Sequence, residues 1–367
     1  MRRPSPTIQL PDQIDTPTPV IDLDVLEANI ARMATLLASR GVGLRPHTKT
    51  SKCIEVIRRQ IDAGVVGLTV ATLGEAEVLA DAGFDDFFQA YPTWAGRPER
   101  ARRVRALHER VSMMVGVESV DSAEALGRAV AGSARKLRVL IELDPGLHRT
   151  GVPPDEVLVV AQAAERAGLD VAGAFTFGGH AYASCDAPHE AADDEVRVLD
   201  AARERLASAG FDVRILSAGC TPTAHLSSRA PVTDERPGTY VFQDCQQVAL
   251  GSAAPDAIAM VVAATVVASH ADGHFVVDAG SKALGQDRSA WLPGFGSIAE
   301  YPDATIRSLS EHHGVAWTEG RRPRVGEIVR IVPNHCCVVV NLHDTLTVVR
   351  HGTVVDQWRV ASRGRNS

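Results

Sequence analysis

From about residue 22 to about residue 245, short apolar runs alternate with longer amphipathic stretches. This alternation is typical of repeated βα units, because consecutive parallel strands must be joined by a crossover that is usually a helix. The helical stretches include "DVLEANIARMATLLASR" and "PDEVLVVAQAAERAG", and the second begins with proline and ends in glycine, as helices often do. The runs that we predict as strands are Val42–Arg45, Val65–Val70, Asp86–Ala90, Ser112–Val117, Leu137–Leu143, Val171–Thr176, Val213–Ser217 and Gly238–Phe242.

Eight βα units in succession predict an α/β protein with an N-terminal (β/α)8 TIM-like barrel, and a doubly wound open sheet is the alternative. After about residue 250 the pattern changes to β-type runs separated by turns, from "AIAMVVAATVVAS" to "TVVDQWRV", which predicts a C-terminal antiparallel β domain. The Pro-rich stretch "TPTPVIDL" is expected to add a strand to that domain. We therefore predict a barrel over residues 20–248 and a β domain formed by residues 1–19 and 249–367.

Composition narrows the classes of partner. The 367 residues carry a formal net charge of -7 without a basic stripe, which disfavours nucleic acid and anionic membranes and favours a small-molecule substrate. No apolar run is long enough to span a bilayer, and "MRRPSPTIQLPDQ" lacks the apolar region of a signal peptide, so a cytoplasmic location is expected. The six cysteines then indicate reduced thiols or metal ligands.

Lys49 lies in the polar stretch "GLRPHTKTSK", directly after the first predicted strand. Reactive groups of a (β/α)8 barrel gather at the carboxyl ends of the strands, so the Lys49 amine is predicted to face the mouth of the barrel. Such an amine can form a Schiff base with an aldehyde when desolvation or a nearby cation, such as His47, disfavours its charged form. A lysine that is only solvated or ion-paired is the plainer alternative.

Two further loops follow predicted strands. Gly219, Cys220 and Thr221 of "LSAGCTPT" offer a flexible backbone, amides and a hydroxyl for a phosphate, and Arg149 of "DPGLHRTGV" offers a cation for a carboxylate or phenolate. A plain turn and a surface ion pair are the alternatives. An amine for an aldehyde, a phosphate loop and a cation for a ring oxygen together match the requirements of pyridoxal 5'-phosphate.

His335 and Cys337 lie in "VPNHCCVVVNLHD". If this segment is a strand, their side chains point to the same face and form a two-residue clip for a divalent metal, with zinc favoured by the thiolate. Two protein ligands leave coordination positions open for a substrate, which is a catalytic arrangement. A buried cysteine beside a histidine with other partners is the alternative.

The motifs "RPHTKT", "DPGLHRTGV", "GGHAY", "SAGCTPT", "ERPGTYVF", "DAGSKAL" and "VPNHCCVVVNLHD" occur in this order from about Asp15 to Gly364. In this the chain resembles the D-threonine aldolase and D-serine dehydratase family, which is alanine-racemase-like and belongs to the fold type III pyridoxal phosphate enzymes. The resemblance implies a homodimer with a cofactor-binding barrel and a β domain that holds Zn, Mn or Mg. By position it implies that Lys49 binds the cofactor aldehyde, that His335 and Cys337 bind the metal, that His180 and Tyr182 are catalytic, and that the cofactor contacts His47, Arg149, Tyr182, Gly219, Cys220, Thr221 and Tyr240.

The resemblance implies a lyase for D-amino acids with a β-hydroxyl. We expect the D-threonine aldolase reaction, which yields glycine and acetaldehyde, and D-serine dehydration to pyruvate and ammonia is the alternative. Aldolases of this type resemble His-x-Asp at the metal position and dehydratases resemble His-x-Cys, so Cys337 favours dehydration. Ser51 stands where family members often have histidine. An amino-acid racemase and a non-catalytic cofactor carrier are remoter alternatives.

Overall fold

The computed structural model describes residues 3–367. Met1 and Arg2, which belong to the predicted β domain, lie outside the described residues. The chain divides into two compact units. We call them the barrel unit, with residues Met33–Lys49, Gln60–Gly238 and Arg365–Ser367, and the β unit, with the residues up to Arg32, Thr50–Arg59 and Thr239–Gly364. The predicted domain limits remain a prediction.

The strands and helices have the following bounds. The strands are β1 (Thr18–Asp22), β2 (Gly43–Leu44), β3 (Leu68–Val70), β4 (Asp86–Gln89), β5 (Ser112–Val117), β6 (Arg138–Leu143), β7 (Asp170–Thr176), β8 (Ile215–Ala218), β9 (Asp234–Glu235), β10 (Met260–Ser269), β11 (His274–Val277), β12 (Ser297–Ile298), β13 (Thr305–Leu309), β14 (Gly314–Trp317), β15 (Ile328–Val332), β16 (Thr345–Arg350) and β17 (Thr353–Arg359). The helices are α1 (Leu23–Ser39), α2 (Ile54–Asp62), α3 (Leu73–Asp81), α4 (Pro98–Arg110), α5 (Val120–Ala129), α6 (Val157–Arg166), α7 (Ala187–Ser208), α8 (Thr221–Ser227), α9 (Cys245–Ala249), α10 (Ser281–Leu284) and α11 (Cys336–Leu342), with 3₁₀ helices at Pro154–Glu156, Gly179–Tyr182 and Thr239–Val241.

The barrel unit contains an eight-stranded sheet in the order β2-β9-β8-β7-β6-β5-β4-β3. All neighbouring strands are parallel, and a parallel bridge between His47 and Thr69 joins the two ends. Because helices cover such a sheet, its strands are apolar on both faces, and Phe88, Phe175 and their neighbours fill the interior. The predicted (β/α)8 architecture is confirmed.

The β unit contains a nine-stranded sheet. Its long strand β10 pairs antiparallel with β1, β11 and β15, which confirms the predicted antiparallel domain and the additional strand from "TPTPVIDL". β1 also pairs with β16, in parallel orientation. The core of this unit includes Val20, Val248 and Val261, all fully buried. Within residues 3–367, none of the helices combines the length and the apolar character that a membrane span requires.

Seven of the predicted barrel strands overlap observed strands, and the eighth was wrong. Gly238–Phe242 contains a 3₁₀ helix, and the eighth strand is β9 at Asp234–Glu235. The backbone of β9 and the residue before it pairs with the chain around β2, since Gly43 N donates to Thr233 O and Arg45 N donates to Glu235 O. β9 was not predicted because its residues are charged, whereas buried strands are usually apolar. The interior of the barrel unit supplies hydrogen-bond partners for these charged side chains.

Candidate active site

Lys49 follows β2, at the carboxyl end of the parallel strands. Its side chain is exposed, and its backbone N–H points to His47 Nδ1 at 3.4 Å. Burial, the positive charge of Lys49 and then that of Arg236 hold the pKa of His47 well below its ordinary value. His47 is therefore neutral at pH 7, and because its Nδ1 faces an N–H, its proton lies on Nε2. The arrangement places a solvent-accessible amine beside an uncharged imidazole.

The predicted phosphate loop follows β8 and opens α8. Gly219 has φ of +100°, and its N–H donates to Glu195 Oε1 at 3.1 Å. The Cys220 N–H donates to Thr223 Oγ1 at 3.2 Å, and burial raises the pKa of the Cys220 thiol, which is therefore uncharged. These bonds within the barrel unit fix the conformation of the turn, and Thr221 begins α8 as a buried residue.

Arg149 lies in the loop that follows β6, and His180 and Tyr182 lie in the 3₁₀ helix Gly179–Tyr182 that follows β7. Arg149 is exposed, and its guanidinium stacks on the Phe177 ring at 4.7 Å. His180 Nε2 is 3.3 Å from Asp194 Oδ2. Tyr182 packs against the buried cluster that contains Cys220. The structure thus brings the predicted barrel residues to the same end of one sheet, the end at which (β/α)8 enzymes act.

Arg236 is a buried cation that the sequence interpretation missed. Its guanidinium donates to Ser217 Oγ at 2.6 Å and to Thr176 O at 2.5 Å, and it faces the Phe175 ring at 5.3 Å. Because a buried charge is costly without partners, the acidic groups around Arg236 explain how it is tolerated. Three charged residues in succession, Asp234 to Arg236, within an otherwise apolar barrel were the signal that could have revealed it.

Glu195 and Glu235 are two fully buried carboxyl groups near the Gly219 turn. Glu195 Oε1 accepts the N–H groups of Gly178 and Gly219, and Glu235 Oε1 accepts the Ser227 hydroxyl at 2.7 Å. Burial, and next the negative charge of Glu195, raise the pKa of Glu235 well above its ordinary value. Glu235 is therefore the member of the pair that keeps its proton most readily.

His335 and Cys337 lie in the β unit, but the predicted strand that was to carry them was wrong. His335 is the N-cap of α11, and Cys337 is the second residue of that helix. Cys336, Val339 and Val340 are its buried residues, which is the spacing of a helix face and not of a strand. The two predicted ligands are nevertheless neighbours that interact electrostatically, since each affects the pKa of the other.

The electrostatics of this pair suit a metal. The Cys336 thiol, which donates to Cys337, and the neighbouring His335 hold the pKa of Cys337 well below its ordinary value despite burial. Burial opposes protonation of His335, but Cys337 and Asp244 outweigh it and raise the pKa of His335 well above its ordinary value. These directions describe a thiolate beside a protonated imidazole, so a metal would displace a proton from His335 on binding. A thiolate and an imidazole nitrogen are then a donor pair that zinc prefers. Tyr240, in the same unit, is almost fully buried within the 3₁₀ helix Thr239–Val241.

The described part of the chain contains no group of three or more His, Cys, Asp or Glu residues that is suited to hold a metal ion. A metal bound by His335 and Cys337 would therefore have only two protein ligands from this set. The remaining positions would be open to water or substrate, as in a catalytic site.

One class of pyridoxal phosphate enzymes, fold type III, has a barrel with a lysine at the end of the first barrel strand and a β unit after it in the chain. Comparison with known proteins assigns this chain to that class. Residues 21–246 match the family model of the alanine racemase N-terminal domain, and residues 259–349 match that of a putative serine dehydratase domain. The chain therefore belongs to the alanine-racemase-like family of pyridoxal phosphate-dependent enzymes.

Individual relatives are lyases. The D-threo-3-hydroxyaspartate dehydratase of Delftia sp. (strain HT23) is 34% identical over 349 residues, which cover 88% of this chain and 91% of that protein. The D-threonine aldolase of Arthrobacter sp. is 29% identical over 362 residues, which cover 96% and 93%. The solved structure of the Delftia dehydratase matches with a TM-score of 0.87 at 31% identity and covers 95% of this chain and 97% of its own. The present protein is accordingly a pyridoxal phosphate-dependent lyase for D-hydroxyamino acids.

Two solved variants of a D-threo-3-hydroxyaspartate dehydratase, each 31% identical to this chain, bear on the metal. One variant replaces a histidine by alanine, and another replaces a cysteine two positions later and is described as the metal-free form. The spacing of those two residues is the spacing of His335 and Cys337.

Proposed function

We propose that this lyase is a metal-dependent dehydratase that removes the β-hydroxyl of D-3-hydroxy amino acids. The observation that supports this choice is the placement of His335 and Cys337 together at the start of α11, where the pKa of Cys337 is held low. The pair has the spacing of the histidine and cysteine that were replaced in the two solved variants of D-threo-3-hydroxyaspartate dehydratase. Its substrates to test first are D-threo-3-hydroxyaspartate, after that relative, and D-serine, which carries the smallest substituent at Cβ.

The proposal assigns separate roles to the residues that bind the cofactor and to those that bind the metal. When bound, pyridoxal phosphate accepts the electrons that are released at the substrate Cα, and a divalent metal polarises the β-hydroxyl. Lys49 Nζ would bind the cofactor aldehyde, and once the substrate amine has displaced it, the freed Lys49 amine would take the Cα proton of the substrate. His335 and Cys337 hold the metal. We propose that the cofactor is further contacted by His47, Arg149, Tyr182, Tyr240 and the turn of Gly219, Cys220 and Thr221, and that His180 and Tyr182 take part in catalysis.

Protonation states in the structure are consistent with these roles. Neutral His47 adds no positive charge beside Lys49, and the exposed Lys49 side chain is open to a cofactor. In the β unit, the low pKa of Cys337 provides the thiolate that a metal requires, and the proton released on binding comes from His335, whose pKa is raised. The donor set therefore fits both groups.

Retro-aldol cleavage of D-threonine to glycine and acetaldehyde is the second candidate. The D-threonine aldolase of Arthrobacter sp. favours it, because its similarity covers 96% of this chain. The two reactions need the same lysine and the same metal clip. They differ in which bond at Cα breaks, so the products distinguish them.

The test is product analysis with purified protein that has been supplied with pyridoxal phosphate and Zn²⁺ or Mn²⁺. D-threo-3-hydroxyaspartate, D-serine and D-threonine are assayed separately for 2-oxo acid with ammonia and for glycine with aldehyde. We expect 2-oxo acid and ammonia in equal amounts, because elimination of water is followed by hydrolysis that releases the amine.

Other products would overturn the proposal in different ways. Glycine and an aldehyde would identify the aldolase reaction and make Cys337 a ligand shared by both reactions. The L-enantiomer, without either product set, would identify a racemase. Cys337→Ala is the matched variant. It should lose the bound metal and the dehydratase activity together. Full activity of this variant without metal would exclude His335 and Cys337 as a catalytic metal site. The proposal includes a homodimer, for which sedimentation should give a mass of twice 39.1 kDa.

A further inference from the structure

Asp244 is a buried carboxylate in direct contact with a predicted metal ligand. It is the N-cap of α9, and its Oδ1 accepts the Gln247 N–H at 2.9 Å. Its Oδ2 accepts the Cys336 N–H at 3.1 Å and lies 3.3 Å from His335 Nδ1. The Asp244 side chain is fully buried. One carboxylate therefore joins the start of α9 to the start of α11.

The contact between Asp244 and His335 is unlike an ordinary surface ion pair. A fully buried carboxylate is costly unless donors surround it, and here two backbone N–H groups donate to Asp244 while the His335 ring lies 3.3 Å away. Both oxygens of Asp244 already accept backbone N–H groups, which argues against Asp244 as a metal ligand itself. The role left for Asp244 is to orient the His335 ring and to determine which ring nitrogen carries the proton.

An imidazole that binds a metal through one nitrogen usually donates its other N–H to a carboxylate or a carbonyl. That second bond decides which nitrogen keeps the proton and how the ring is turned. His335 Nδ1 has Asp244 Oδ2 as its nearest carboxylate oxygen, at 3.3 Å. The contact is not a formed hydrogen bond in the structure, where His335 Nδ1 is a buried nitrogen without a hydrogen-bond partner among residues 3–367. A turn of the ring that aligns Nδ1–H with Asp244 would satisfy this nitrogen and leave the lone pair of Nε2 available.

We propose that Asp244 is the positioning residue of the His335 and Cys337 metal site. Its carboxylate holds the His335 ring with the proton on Nδ1 and Nε2 free for the metal. Through the Cys336 N–H it also holds the first turn of α11, the turn that contains Cys337. This inference rests on the metal binding that the proposed function includes.

The test measures metal affinity in metal-free protein, by competition between the protein and a chromophoric chelator for Zn²⁺. Asp244→Asn keeps the shape of the side chain but removes its charge and places an amide opposite two donors. We expect it to weaken Zn²⁺ binding about 10–100-fold, which is the usual effect of losing such a partner.

Asp278→Asn is the matched control. Asp278 lies in the same unit and its carboxylate accepts the Thr265 N–H and the Thr16 hydroxyl, but it contacts neither predicted ligand. We expect it to leave the Zn²⁺ affinity unchanged. Co²⁺ gives a second measurement, because at saturation Asp244→Asn should still show the thiolate-to-cobalt absorption of Cys337, reached only at higher Co²⁺ concentration.

Three results would count against the proposal. Wild-type Zn²⁺ affinity in Asp244→Asn, with weaker binding in Cys337→Ala, would reject the role of Asp244 and leave the metal site intact. Equal Zn²⁺ binding by wild type and Cys337→Ala would reject the metal site and this inference with it. If Asp244→Asn does not fold, Asp244→Ser keeps an acceptor for the Gln247 N–H. Failure of both variants to fold would make Asp244 a structural residue only.

Discussion

Cys337 Sγ lies 3.2 Å from Thr50 Oγ1, and the two groups are hydrogen-bonded within the β unit. Cys336 has the largest part in lowering the pKa of Cys337, and Thr50 adds to it. In the structure the Cys337 thiol donates to Thr50 Oγ1, and the Thr50 hydroxyl, which can rotate, donates in return once the thiol has ionised. Hydrogen bonds to charged groups contribute about 1.5–3 kcal/mol. We therefore expect Thr50→Val, which removes the hydroxyl at nearly constant volume, to weaken Zn²⁺ binding about 10–100-fold in a chelator competition assay.

Thr50→Ser is the control for this change, because it keeps the hydroxyl and loses only a methyl group. It should bind Zn²⁺ nearly as tightly as the wild type. An equal loss of affinity in both variants would mean that packing of the Thr50 methyl, and not its hydroxyl, supports the thiolate.

Lys49 supplies the second prediction. Because its amine is exposed beside neutral His47, it is the group that we expect to bind the cofactor aldehyde. Lys49→Ala should lose the absorbance of the bound cofactor and all lyase activity. Lys136→Ala, which removes another exposed lysine of the barrel unit, should retain both. Borohydride reduction of the wild-type holoenzyme followed by peptide mapping should locate the cofactor on Lys49, and its location on another lysine would contradict the assignment.

Part of the fold was predictable from the sequence for a definite physical reason. β5 was predicted at its observed bounds, Ser112–Val117, because a strand covered on both faces must be apolar throughout. β9 was missed because Asp234 and Glu235 are charged, and only the folded barrel supplies their partners, Ser217 and Ser227. A local pattern cannot show such partners.

For the candidate site, too, some features were visible in the sequence and others depend on the fold. The identity and spacing of His335 and Cys337 were visible, but valines and cysteines indicated a strand, and the helical spacing of the buried side chains shows only in the structure. Asp244 was not predictable, since it is 92 positions from the Cys336 N–H that it accepts. Sequence therefore predicted the groups that react, whereas the groups that orient them are distant in the chain.

Glu235 allows a prediction about pH. Its pKa is raised in the folded protein by burial and by Glu195, whereas in the unfolded chain it ionises near the ordinary value of about 4.3. Below that pH both states keep the proton, and Glu235 has no effect. As the pH rises from there towards the folded pKa, only the unfolded chain ionises, so the free energy of unfolding falls. We expect Glu235→Gln to reduce this loss.

The measurement is urea unfolding of the cofactor-free protein at a series of pH values above 4.3. Glu235→Gln should have a flatter dependence than the wild type over this range. Glu165→Gln, which changes an exposed glutamate of α6, is the control and should follow the wild type. A wild-type slope in Glu235→Gln would mean that this carboxyl is ionised in the folded protein.

Gly219 gives the last prediction, because two separate constraints require glycine there. Its φ of +100° is costly for other residues, by about 1–3 kcal/mol, and a Cβ would lie 2.0 Å from Glu235 Oε2 and 3.2 Å from Arg236 N. Gly219→Ala should therefore lower the thermal unfolding temperature and weaken the binding of pyridoxal phosphate to the cofactor-free protein. Gly210→Ala separates the two causes, since Gly210 has φ of +87° but nothing within 4 Å of the added Cβ. It should be destabilised less and should bind the cofactor normally. If both variants unfold at the same temperature, the positive φ alone explains the need for glycine at position 219. The Glu235 side chain then moves away from the added methyl group at little cost.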